Sequence, residues 1–229
     1  DFGNCGGAVS GKLLPTGRPK NRIRLEAREV DVSLIDAATP FVFINAADID
    51  ATGSELPEDL KANERLMTIL EEVRGWAATV LGLVSKAEQA RSESPNIPRV
   101  VMIASPTSYR TIDGCDVAAA DIDICVRQLA MQRPHKALAV TGAVCTAVAC
   151  SIPGTVVADA VRETSTDIRL GHPSGVLRVA STIENDINGN PVVKGAGIER
   201  TARLIMDGAV FVRRRKVKAL LAQMAEKQK

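Results

Sequence analysis

Aromatic residues are scarce in this 229-residue chain: one Trp, one Tyr and four Phe, 3% of the total. Base-stacking platforms need such rings, so the composition argues against that mode of nucleic-acid binding. A formal net charge of +2 adds no electrostatic case for a polyanion partner. No apolar run reaches the roughly 18 residues of a membrane-spanning helix. The N-terminus lacks the basic stretch and apolar core of a signal peptide. Histidine occurs only at 135 and 172, and the five cysteines (5, 115, 125, 145 and 150) form no C-x-x-C pair. A Cys/His metal site is therefore not expected, and reduced thiols in a cytoplasmic setting are the simplest reading. There is no fixed-period repeat and no low-complexity segment. The chain opens Asp1-Phe2-Gly3 without an initiator methionine, as a processed, truncated or partial chain would.

What is present is a mixed pattern. Ile23 to Val32 alternates apolar and charged residues, as a half-exposed antiparallel strand does. Pro40–Ile44 and Val100–Ala104 read as buried strands. Pro57, with Glu58 and Asp59 behind it, marks a helix start, and apolar residues from Leu66 to Val84 recur at helical spacing. Asp121 to Met131 reads as a short helix and Ala137 to Val140 as a short strand. Thr141 to Cys150 is almost wholly small and apolar, and a helix apolar all round must be buried all round. Strands are expected at 155–161, 167–170, 176–183 and 190–212, with Asn188-Gly189 as a hairpin turn. Arg213 to Lys229 reads as a basic helix. The fold class is α+β, with many antiparallel strands around one buried small-residue helix and other helices outside.

Four features invite a chemical reading. Gly6 to Gly17, GGAVSGKLLPTG, holds G-x-x-x-x-G-K, yet Leu13 stands where a phosphate loop needs Ser or Thr for magnesium. Leu14 to Gly17 looks like a turn, so a nucleotide site is rejected. Thr141-Gly142-Ala143 opens the buried helix, whose free N–H groups suit a carboxylate. The alternative is that Thr141 caps the helix and Gly142 only permits close packing. His135 lies just ahead of that helix, whereas His172, in Gly171–Gly175, reads as a turn histidine making one hydrogen bond. Cys145 and Cys150 read as small buried hydrophobes, although a thiolate at 145 would gain from a nearby helix N-terminus.

Several ordered segments together resemble one family. They are Ser10–Gly17, Val32–Ala37, Glu55–Pro57, His135–Ala137, Thr141–Ala143, Ile152–Thr155, Gly171–Gly175 and Arg200–Arg203. The family is the PrpF group of 2-methylaconitate isomerases, 3-methylitaconate isomerases and 4-oxalomesaconate tautomerases. The resemblance implies a diaminopimelate-epimerase-like fold, in which each of two halves wraps a sheet around a central helix. It also implies that this chain corresponds to the C-terminal portion of longer members. Residues 1–22 would be an opening segment, 23–212 the epimerase-like domain whose last strands pair with the missing half, and 213–229 the basic helix.

The implied activity is cofactor-independent proton transfer on an unsaturated di- or tricarboxylic acid, with no metal. The family's catalytic lysine and cysteine lie in the first half, so no catalytic residue is assigned here, and activity is expected to need that half. The substrate-binding candidates are Thr141, Gly142, Ala143, His135, Thr39, Ser10 and Lys12. Asp36-Ala37-Ala38-Thr39-Pro40 matches a family turn that usually reads D-A-G-N-P, so the turn is expected to be looser and to lack an amide donor. The implied partners are a small di- or tricarboxylate, the N-terminal half and a second copy in a homodimer, with neither nucleic acid nor membrane. A non-catalytic member that binds an acidic metabolite or a partner protein is the alternative.

Overall fold

The computed structural model describes residues 2–26, 28–163, 165–199, 203–209, 211, 213–214 and 217–218. Its strands are β1 (Asn21–Arg24), β2 (Glu29–Ala37), β3 (Thr39–Asn45), β4 (Arg99–Ala104), β5 (Tyr109–Arg110), β6 (Asp116–Val117), β7 (Ile124–Ala130), β8 (Arg133–Pro134), β9 (Asp167–His172), β10 (Gly175–Asn185) and β11 (Pro191–Ile198). The helices are α1 (Pro57–Ala62), α2 (Glu64–Val80), α3 (Ala90–Glu93), α4 (Val140–Cys150) and α5 (Val156–Ala160).

One sheet runs in the order β1-β2-β3-β4-β7-β9-β10-β11, with β8 attached to β7. Its pairings are antiparallel except β3–β4 and β7–β9. The sheet curls around α4, which touches β2 and β3 near one end of the order and β10 and β11 at the other. Residues 2–6 help to join those ends: Phe2 bridges to Ala196 of β11 and Gly6 to Ala37 of β2.

Alternation along each strand separates two cores, because successive side chains leave a strand on opposite faces. Ile35, Phe41, Phe43, Val101, Ile103, Ile124 and Val126 pack with α4 and α5. Leu34, Val42, Ile44, Val100, Met102, Cys125 and Leu129 pack with α1 and α2. Helix α4 is buried from Gly142 through Cys150, as its all-round apolar surface requires.

Several sequence expectations fail for identifiable reasons. Residues 124–130 are strand β7: both faces of the sheet are covered, so the segment lost the alternation that marks a half-exposed strand. Residues 155–161 hold helix α5, capped by Thr155 Oγ1, which accepts from Ala158 N at 2.9 Å. Residues 137–140 form no strand and lead into α4. The stretch 23–32 is split between β1 and β2, which pair as a hairpin. β11 stops at Ile198.

Two compact units divide the chain after Glu199. In the second, residues 203–209 carry no regular element. Most of the expected 213–229 helix lies outside the described residues.

Candidate functional site

Helix α4 begins without a cap. Its N-cap is Ala139, which has no side chain able to accept a hydrogen bond. Thr141 is inside the first turn, so the capping role considered for it does not hold. The N–H groups of Val140, Thr141 and Gly142 find no acceptor among the described residues, and the first helical bond is Ala143 N to Ala139 O at 2.8 Å. These orphan donors sit at the positive end of the helix dipole.

The wall beside this helix start comes from β7. Ile124 and Val126 face α4, so Gln128, two residues on, shares that face. Gln128 is 1% exposed. Its Oε1 accepts from Ala139 N at 3.2 Å, while its Nε2 is buried without a partner. The bond from Ala139 fixes the amide: exchanging N and O would set a donor against a donor. An unmade bond at a buried amide costs on the order of 1–3 kcal/mol. Gly142 is what lets this side chain in, since a Cβ there would lie 2.2 Å from Gln128 Oε1.

Phe41 completes the wall. Its Cζ comes within 3.3 Å of the same Cβ position on Gly142. The guanidinium of Arg99, the residue paired with Phe41 across β3 and β4, lies 6.0 Å from the ring centroid. The sequence reading missed both Gln128 and Arg99. Residues 121–131 had been read as helix, which hid the parity that points Gln128 at α4.

His135 is tied to Gln128 beside this start, and Thr39 lies at the β2–β3 turn. His135 is half-buried; its N donates to Gln128 O at 2.8 Å, and its Nδ1 accepts from Ala137 N at 3.0 Å. His135 and Gln128 border one small recess together with Glu55, Pro134 and Pro173. Thr39 is half-buried and donates its hydroxyl to Ala38 O at 2.8 Å. The turn it belongs to is not loosened: Ala37 pairs directly with Thr39, and Ala38 between them takes φ +60°. That left-handed conformation is where glycine costs nothing and alanine is strained.

Ser10 is held by Asp36, and the Lys12 backbone bonds in turn to Ser10 Oγ. Asp36 is fully buried, and its Oδ2 accepts from Val9 N at 2.8 Å, Ser10 N at 2.6 Å and Ser10 Oγ at 2.9 Å, while Oδ1 has no partner. Ser10 is thereby engaged structurally, and Lys12 is exposed. No hydrogen bond among the described residues ties either one to α4.

On the opposite face of β7, Arg127 is 1% exposed. Its Nε donates to Glu55 O at 2.7 Å, its Nη1 to Val126 O at 3.0 Å and Gly171 O at 3.3 Å, and its carbon Cζ lies 4.8 Å from the Tyr109 ring centroid. Burial lowers its pKa. Burial, then Arg127 and His135, push His172 down to about 4, so its imidazole is neutral, and Nδ1 accepts from Ser174 N at 3.2 Å. His172 is neither a surface nor a turn residue: it is buried and ends β9, and the turn to β10 is formed by Pro173 and Ser174.

Cys145 is fully buried, and burial drives its thiol pKa far up; Cys150 is pushed up to about 12 by the same cause. Both are small core residues rather than thiolates. Among the described residues, no three His, Cys, Asp or Glu side chains gather as a metal site, and no helix is long and apolar enough to cross a membrane.

A cavity of about 520 Å³ lies far from α4, between the β1–β2 turn and α2. Glu26, Glu71, Glu72 and Glu88 line it, outnumbering Arg24 and Arg91. Its sign is wrong for a carboxylate, whereas the α4 start offers only donors.

A curved α+β sheet wraps a buried helix whose N-terminus is uncapped, with the free amide nitrogen of Gln128 beside it. The fold matches a solved structure titled methylitaconate-delta-isomerase, with a TM-score of 0.81 and 32% identity over 95% of this chain and 56% of that one. The chain belongs to the PrpF protein family, whose model matches residues 1–213. Among curated relatives it is 34% identical to 3-methylitaconate isomerase of Eubacterium barkeri, covering 95% of this chain and 57% of that protein. It is 35% identical to 2-methyl-aconitate isomerase of Shewanella oneidensis (88% and 51%) and 31% identical to 4-oxalomesaconate tautomerase of Pseudomonas putida (93% and 52%). The chain thus spans about half the length of the curated relatives it matches.

Proposed function

We propose that this chain supplies the carboxylate-binding half of an isomerase or tautomerase that moves a proton along an unsaturated di- or tricarboxylic acid. The observation that carries the reading is the α4 start, with three N–H groups unpaired among the described residues beside the buried, unpaired amide nitrogen of Gln128. The relatives' names supply the substrate class: methylitaconate, methylaconitate and oxalomesaconate.

In such a reaction a base removes a proton from carbon next to a carboxylate. The electron pair spreads over the allyl system and onto the carboxylate oxygens, and a proton returns at the other end. Atoms and charge balance without a cofactor. Donors fixed at the carboxylate stabilise the anion as charge moves onto it, at no cost of reorganisation. Val140, Thr141 and Gly142 provide these donors in our reading, with His135 and Thr39 at the rim, whereas the Ala143 N–H is committed to Ala139 O. The acid and base belong to the part of such a protein that this chain does not span. A cytoplasmic setting and a homodimer remain part of this reading.

The test is proton NMR in deuterated water, using a protein that spans the relatives' full length and contains this chain, with trans-aconitate, methylitaconate and oxalomesaconate in turn. Deuterium entering one of them at an allylic carbon, together with an isomerised product, is the expected result. Thr141→Val should weaken binding of cis-aconitate by calorimetry. Absence of exchange with every acid would leave the non-catalytic alternative standing, and unchanged binding in Thr141→Val would remove the Thr141 hydroxyl, though not its N–H, from the site.

A further inference from the structure

We propose that Arg99 and Gln128 set the specificity of the α4 site by reading two carboxylates of one ligand; this rests on the carboxylate-binding reading above and refines it. Gln128 Nε2 is a buried donor without a partner, on an amide whose other end is fixed by Ala139 N. It adjoins the three free N–H groups of the helix start, and together they suit one carboxylate.

Arg99 brings a full positive charge to this wall. It lies on the same face of the sheet as Gln128, because Val101 pairs with Gln128 and Arg99 is two residues along β4. Such diagonal neighbours stand about 7–8 Å apart. Its guanidinium rests over Phe41, whose ring tip meets Gly142. Its one hydrogen bond is a long one, from Nε to Asn96 O at 3.4 Å, and it forms no ion pair among the described residues. A planar fork of free donors at that spacing matches a second carboxylate carried one or two carbons from the first. A monocarboxylate would use the helix start and leave Arg99 idle.

The experiment uses the 229-residue chain, ¹⁵N-labelled and titrated with tricarballylate, which is saturated and cannot turn over, and with butyrate as the monocarboxylate. Both ligands should shift the amides of Val140, Thr141 and Gly142, with tricarballylate binding at least tenfold more tightly. Arg99→Gln should abolish that advantage and leave butyrate unchanged. Gln128→Glu keeps the oxygen facing Ala139 N, replaces the free donor with a negative oxygen, and should lose both ligands. Arg99 is half-exposed, so its substitution decides the matter even if Gln128→Glu does not fold. An Arg99→Gln chain that keeps the tricarballylate advantage, with the amide shifts intact, overturns this proposal alone. No shift at residues 140–142 with either ligand overturns both it and the carboxylate-binding reading.

Discussion

Gln128 and Gly142 are fitted to each other: the side-chain oxygen of one occupies the space where a side chain on the other would begin, 2.2 Å from its Cβ position. Gly142→Ala would gain about 1 kcal/mol of helix propensity. It would also push against an amide oxygen that cannot retreat without giving up its bond to Ala139 N, and against Phe41. Overpacking of this kind costs roughly 1–3 kcal/mol, so a net loss of up to about 2 kcal/mol is expected. Urea unfolding measures it, and adding Gln128→Ala should recover most of the loss. A Gly142→Ala chain as stable as the parent would show that the fit is slack.

His172 should make stability fall in acid. Its folded pKa of about 4 lies below the ordinary value of 6.5. The unfolded chain therefore binds the proton first, and stability rises with pH across that window. The contribution is complete above about pH 6.5 and is lost as pH falls toward 4, amounting to at most about 3 kcal/mol. Melting temperature followed from pH 7 to pH 4.5 tests this: His172→Asn should flatten the profile in that range, and an unchanged slope would assign the loss to other groups.

Asp36 fastens the opening segment to β2 through three bonds to one carboxylate oxygen. Asp36→Ala removes all three acceptor contacts and should cost about 2–3 kcal/mol. Hydrogen exchange should rise at Val9 and Ser10 while the α4 amides stay protected. Equal acceleration in both places would mean that the segment and the core open together.

Ala38 sits at φ +60° in a turn where the resembling family carries glycine. Ala38→Gly relieves roughly 1–2 kcal/mol of left-handed strain and costs about 0.4–1 kcal/mol through the unfolded chain. A gain of about 0.5–1 kcal/mol is expected in chemical denaturation. A loss would mean that the alanine methyl makes a contact worth more than the strain.

Some of this was legible one residue at a time. The small apolar run from Thr141 to Cys150 announced a buried helix, because no face of it could meet water. The ordered motifs from Ser10 to Arg203 announced the family. Strand β7 was not legible. In a sheet covered on both sides, the polar residues Arg127 and Gln128 are buried, so the pattern of half-exposed strands disappears.

The sequence by itself determined the fold class and the buried helix, since these follow from composition and local spacing. Tertiary structure alone decided which side chains surround that start. Arg99 and Gln128 lie 29 positions apart and share one face of the sheet only because β4 and β7 pair in one register. It also decided that Ser10 answers to Asp36, that Lys12 is exposed and that Cys145 is buried. Strand register and burial are properties of the assembled sheet, and no short stretch of chain encodes them.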